Sequence, residues 1–426
     1  MKSTIRFCLA AAAISVVVTA AVFGQTTARA LGMGGAYTAL ARGVHSPDWN
    51  PANLGLPDNP SFSFTIVSVG IGIENNSFTQ GLYNQYATDA YWDPDEVANL
   101  LNQIPDDGLK ADVSAAVRVL SFSSGRFALT FGVNAGGNVR VDKTLFEIPM
   151  QGTRLNTLYS FGNTRGRALG VARIALSYAQ PMEVEFAEAF SLGGTIHFDG
   201  GGFAQTQKAD LSLSTRDYGI DLNGNYEAKY GLSTVGMGLD FGAAAQMNKK
   251  WTLSLGFRNL ISSVKWNKKV EKAFGFLHGD SLDVLNIGDI DKDSSGSYLK
   301  ESPYVDSTWT VKGDAFSTRL PLEMRAGAVY RDGDAAIAID YVQGFEDGPL
   351  TSTKPQMSLG TEWRGLRWLP LRMGVAMGGR IGFGTSIGLG LRLGSFRLDY
   401  GLLSRGFLFP KTSKGLVMAL DMGFGP

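Results

Sequence analysis

Three histidines, His45, His197 and His278, are the only side chains that titrate near neutrality, and Cys8 is the only thiol. General acid–base and nucleophilic catalysis need a base within hydrogen-bond reach of its nucleophile. The histidines are scattered along the chain, and no Gly-x-Ser-x-Gly sequence stands in the strand–turn–helix context of a hydrolase elbow. Zinc would need at least two closely spaced histidine ligands, and none are present. The expectation is a protein that is not an enzyme and carries no cofactor.

Two further motifs could hold an ion or a phosphate. Asp289, Asp291 and Asp293 place three carboxylates at alternate positions before Gly296, like the first half of a calcium loop. The glycine comes two places late and Lys300 stands where a bidentate Glu belongs, so a solvated loop competes with a weak calcium site. Gly32-Met33-Gly34-Gly35 could suggest a phosphate cradle, but Tyr37 occupies the sixth position of the dinucleotide fingerprint.

The elements that must carry these residues are set by composition. The chain has 426 residues with 54 glycines, 11% aromatics and 18% charged residues, balanced at 39 basic and 39 acidic. Average chains hold about 7% glycine and about 25% charge. Zero net charge provides no positive field for nucleic acid. A mean hydropathy near zero is too polar for a helical membrane bundle. Glycine and aromatics with little charge suit a large antiparallel β-barrel with one apolar and one polar face.

Lys2 and Arg6 precede an apolar run from Phe7 to Val18 and small residues up to Gly24. That is the order of a secretory signal peptide over 1–24, with cleavage after Gly24, and it removes Cys8 from the mature chain. Period-2 alternation then recurs from about residue 61 onward, as in Trp251, Leu253, Leu255 and Phe257, and again in Ile387, Leu389, Leu391 and Leu393. About fourteen strands are expected, near the roughly 9–11 residues that a tilted transmembrane strand requires. Connections 73–110, 139–167, 200–233 and 262–317 are long, and most of those between them are short. Antiparallel strands put alternate connections at opposite rims, which predicts tight periplasmic turns and long extracellular loops over an all-β transmembrane barrel, 61–426. A soluble β-sandwich is the competing fold, but no linker divides the chain.

If the apolar phase faces lipid, the opposite phase faces the lumen. In the C-terminal half it carries Arg319, Glu323, Arg325, Asp340, Glu362, Arg364, Arg372, Arg392, Arg397, Asp399 and Asp421. Near-cancelling signs point to ion pairs that brace the interior, with a substrate-guiding wall as the alternative. In the first long loop Asp93 and Pro94 predict a helix start, Pro105 a stop, and Val97, Leu100, Leu101 and Ile104 one apolar stripe. The stripe either packs on the rim or lines an external capture groove.

Residues 25–60 fit neither strand nor signal and have the small residues of a compact plug. They contain Gly32-Met33-Gly34-Gly35-Ala36 and Asn50-Pro51-Ala52. These two motifs resemble the N-terminal hatch of the FadL-type outer-membrane transporter superfamily, which also contains the PorV-like secretion components. The resemblance implies a fourteen-stranded barrel plugged by the hatch, in the bacterial outer membrane. It implies passive passage of small hydrophobic molecules, or alternatively an accessory that binds partner proteins in secretion or surface attachment. A purely structural barrel or adhesin stands as a third reading. One departure is the end of the chain, where Phe424 is followed by Gly425-Pro426 instead of closing on an aromatic residue.

Overall fold

The computed structural model describes residues 27–86, 92–217, 219–282, 304–409 and 411–425. The proposed signal 1–24 and the Asp289, Asp291 and Asp293 cluster lie outside the described residues. Fourteen antiparallel strands close a barrel. The first seven are β1 Phe62–Asn75, β2 Leu109–Ser124, β3 Phe127–Val141, β4 Arg165–Met182, β5 Ala189–Arg216, β6 Gly219–Gln246 and β7 Trp251–Trp266. The second seven are β8 Glu323–Asp332, β9 Ala335–Gly344, β10 Gln356–Trp363, β11 Leu371–Gly378, β12 Gly382–Leu393, β13 Phe396–Arg405 and β14 Gly415–Phe424. Each strand pairs with the next, and β1 pairs with β14 from Phe64 opposite Phe424 to Glu74 opposite Gly415, which leaves no free edge.

The strand phases face two solvents. Ile71, Leu253, Leu255, Met373, Ile387 and Leu389 are exposed on the outer wall, while Thr252, Ser254, Arg372 and Ser386 between them are buried inside. An apolar outer band around a closed ladder is the arrangement that satisfies the backbone in a bilayer. No helix among the described residues is long and apolar enough to cross a membrane, so the strands do the spanning. Glycines at positive φ make the tight turns at one rim, Gly125, Gly333 and Gly394 among them.

The opposite rim is built up. Residues 200–233, expected as a loop, are instead the upper halves of β5 and β6, paired without a break in direction from Ala189 opposite Gln246 to Arg216 opposite Gly219. The reading 262–317 is corrected likewise: β7 continues to Trp266, Lys268–Leu282 pairs with the upper half of β6, and Tyr304–Lys312 pairs with that strand in turn. The result is a sheet standing above the barrel. Its residues escape the period-2 pattern because both faces meet water there, as in Gln205, Thr206, Gln207, Lys208 and Asp210.

Inside the barrel lies the segment that precedes β1. Helix Ala28–Gly32 is capped by Thr27, and short turns at Gly43–His45, Ser46–Trp49 and Pro51–Gly55 follow. Met33, Tyr37, Leu40 and Trp49 pack with Val329, Ala336 and Ala338 of the wall, so the apolar core lies between hatch and barrel. Tyr37 and Trp49 meet edge to face with ring centroids 5.3 Å apart.

Candidate functional site: a hatch seated on glycine tracks in a charged lumen

The hatch motifs meet the wall at glycines. Gly193, Gly242 and Gly256 lie directly opposite one another across β5, β6 and β7. A β-carbon on Gly193 would strike the backbone of Pro51 and Ala52, and one on Gly242 would strike the Asn50 carboxamide. A second track runs across β10 to β13, where Gly360 opposes Gly374 and Gly388 opposes Gly401. Gly360 and Gly374 receive the Met33 backbone, Gly388 receives Gly32, and Gly401 receives Ala28 and Gly32. Gly32, Met33, Gly34, Asn50, Pro51 and Ala52 thus rest on two separate tracks in the wall. Close backbone approach is what only glycine permits. Ala36, the last residue of the first motif, is buried, and Gly34 and Gly35 turn the chain at φ 67° and 91°.

Polar bonds lock this seat. Asp421 accepts the Ala28 amide at 2.8 Å and also the Ser68 hydroxyl. Asp340 accepts the amides of Tyr37 at 2.9 Å and Thr38 at 2.7 Å. The Asn50 amide nitrogen donates to the Ala243 carbonyl, the Ser254 hydroxyl and the Leu255 carbonyl. Ser386 donates to the Gly32 carbonyl, and Asp48 pairs with Arg118. Arg29 forks onto Glu362 at 2.7 and 2.8 Å, the bidentate geometry that makes such pairs strong.

Glu362 is the hub of the lumen charges. Besides Arg29 it accepts from Arg372 at 2.6 Å and Arg364 at 2.7 Å, and Arg372 reaches on to Asp399 at 2.8 Å, which Arg392 also holds. Arg325 pairs with Glu323 at 2.6 Å and lies 4.5 Å over the Trp49 ring, a cation–π contact with the hatch. Arg397 donates to Thr65. Of the eleven inward charges of the C-terminal half, Arg319 and Arg364 are exposed at strand ends and Arg392 is half-buried; the others are buried. A second cluster, which the sequence reading passed over, sits in β4 to β6. His197 lies between Asp199 at 2.7 Å and Asp240 at 3.4 Å, and Arg173 pairs with Asp199 at 2.7 Å. The same inward phase marks Arg173, His197, Asp199 and Asp240, but weak alternation in that half obscured it. His45 is buried in the hatch, and His278 meets Asn223 on the raised sheet at 2.6 Å.

Above the hatch is a cavity of about 130 Å³, lined by Leu31, Trp49, Val342, Ile381, Leu403 and Val417 together with Glu74, Glu323 and Arg325. Below it, towards the short-turn rim, a second cavity of about 310 Å³ has five arginines in its wall, Arg29, Arg42, Arg331, Arg364 and Arg397, against three carboxylates, Asp58, Asp334 and Glu362. In the first loop, helix Pro94–Asn102 carries a full capping box between Asp93 and Glu96. Leu100, Leu101 and Ile104 are buried and Val97 is half-buried, so the stripe packs inward at these residues.

A family model described as "F plasmid transfer operon, TraF, protein" matches residues 49–314, more than half of the chain. The chain belongs to this TraF family. No curated protein matches it. Among solved structures, this TraF-family barrel is similar to the Ralstonia pickettii toluene transporter TbuX, with TM-score 0.52 and 12% identity, covering 95% of this chain and 99% of that one. It is similar to a Pseudomonas aeruginosa FadL homologue at TM-score 0.52 and 14% identity, covering 95% and 99%. The P. putida toluene transporter TodX matches at TM-score 0.50 and 10% identity, again covering 95% and 99%. The TraF-family chain therefore has the FadL-type fold that its two hatch motifs resemble, a closed barrel of the bacterial outer membrane.

Proposed function

We propose that the protein passes small hydrophobic molecules across the outer membrane. The observation that carries this reading is the fold: 95% of this chain superposes on proteins described as toluene transporters. The cavity above the hatch supports it. An apolar cavity of about 150 Å³ holds benzene, and the one here, about 130 Å³, is of similar size with a mixed wall: Leu31, Trp49, Ile381, Leu403 and Val417 on its apolar part, and Glu74, Glu323 and Arg325 on its polar part. A molecule would enter between the extracellular loops, rest in this cavity and leave after a local shift of the hatch around Gly34 and Gly35, which line it. Expulsion of the whole hatch is opposed by its buried ion pairs and close backbone seat. The proposal assigns no catalytic role.

A second reading is favoured by the family description, which names a transfer operon, and by the tall sheet above the rim: a barrel that binds partner proteins. One experiment separates the two. The detergent-extracted protein is analysed by mass spectrometry for bound small molecules, and cells with and without it are compared for uptake of labelled toluene. Bound hydrophobic molecules and faster uptake support transport. A reproducibly empty barrel, unchanged uptake and a co-purifying protein favour the second reading.

A further inference from the structure

The cavity below the hatch has an excess of positive charge that its own carboxylates do not neutralise. Asp58 is shared by Arg42 at 2.7 Å and Arg331 at 3.4 Å. Glu362 is shared by three guanidinium groups, one of them Arg364 at the cavity mouth. Arg397 also lines the cavity, and among the described residues it forms no ion pair. Only 6% exposed, it donates from Nη2 to Thr65, and its Nε has no partner. A second donor on the same wall, Arg42 Nη2, is also without a partner. Buried donors left unpaired cost about 1–3 kcal/mol each, more when charged. An oxyanion would satisfy them.

The cavity is reachable. The side chains of Asp58, Arg331 and Arg364 are 42%, 30% and 51% exposed, and Asp334 and Gly333 of the β8–β9 turn stand at its mouth. It is roomy enough, at about 310 Å³, for a small anion with its water. Guanidinium forks match the planar carboxylate and the tetrahedral phosphate alike.

We propose that this periplasmic vestibule is a binding site for a small oxyanion, carboxylate or phosphate, held by Arg331, Arg364 and Arg397 beneath the hatch. Two sources offer this chemistry, a free periplasmic ion and the head of an amphiphile. The site does not rest on the transport reading, because it is built from the hatch and the lower rim whatever crosses above.

Isothermal titration of the full chain in detergent tests it, with inorganic phosphate, octanoate and octanoic acid methyl ester as probes. Saturable binding of phosphate or octanoate, with none of the ester, is the expected result. Octanoate bound tenfold more tightly than phosphate assigns an amphiphile head, and the reverse assigns a free ion. The double variant Arg331→Gln/Arg364→Gln, altered at the exposed mouth, is expected to bind at least tenfold more weakly while keeping the heat-modifiable migration of a folded barrel. Arg397→Lys is expected to retain binding that Arg397→Gln loses. No saturable heat with either anion, or binding unchanged in the folded double variant, overturns the proposal. Failure here leaves toluene uptake untouched, so the two tests fail separately.

Discussion

Gly32 of the hatch and Gly388 of β12 approach each other backbone to backbone: a β-carbon on Gly32 would lie 2.7 Å from the Gly388 α-carbon, and one on Gly388 would lie 2.9 Å from that of Gly32. No real β-carbon tolerates such a distance from main chain, so the hatch or the wall would have to shift. Overpacking of this kind costs about 1–3 kcal/mol. Gly388→Ala is therefore expected to loosen the hatch, seen as faster proteolysis at Arg42 and a lower urea midpoint in lipid vesicles. Gly194→Ala is the comparison, since it is exposed and its nearest non-neighbouring atom stands at 3.7 Å. Equal behaviour of the two variants would refute the glycine-track account.

Asp340 does a related task with charge. It receives the amides of Tyr37 and Thr38, and removing the carboxylate leaves two buried donors unpaired at about 1–3 kcal/mol each. Asp340→Ala is expected to speed hydrogen exchange of those two amides well beyond that of the neighbouring hatch, whereas Asp340→Asn keeps an acceptor oxygen and loses less. Protection of both amides in the alanine variant would show that Asp340 does not anchor the hatch.

These two relationships also mark how far the sequence could be read. The fourteen strands were legible because each has one phase in lipid, and Trp251, Leu253, Leu255 and Phe257 alternate for that reason alone. Where β5 and β6 rise above the bilayer, water wets both faces and the signal vanishes, so 200–233 looked like a loop. The hatch motifs were visible as small residues, yet their seats were not. Gly32 and Gly388 are far apart in the chain, and only the closed register brings Gly388 beside Gly401 and under the hatch. The charges were legible as a balanced set on the inward phase. That Glu362 would serve Arg29 of the hatch required the fold.

Glu362 offers a sharper energetic test. Arg29, Arg364 and Arg372 all donate to it, and breaking a buried pair by removing one partner costs about 3–5 kcal/mol. Glu362→Gln is expected to lower stability by that order, because it leaves a surplus of buried positive charge. Arg372→Met in the same background then removes one of the uncompensated cations, and contacting residues are non-additive. The double variant should be more stable than the sum of the singles predicts. Strict additivity in a denaturation cycle would mean that the two side chains are not energetically coupled.

Asp58 gives the hatch a pH dependence at its exit to β1. Burial alone would raise its carboxyl, but Arg42 and Arg331 outweigh that and hold it below the ordinary value of 3.8. A depressed folded-state value means that the pair stabilises fully above the unfolded value and is lost as pH falls through the folded one. The window is therefore below pH 3.8, and neutral pH lies on its stable side. The side chain is 42% exposed, so solvent screening limits the contribution to about 1 kcal/mol or less. Wild type is expected to melt about 1 °C above Asp58→Asn from pH 5 to 7, with the difference shrinking to nothing as the pH drops below that window. Melting temperatures of both proteins across the range check it, and a gap that widens on acidification would reverse the assigned sign.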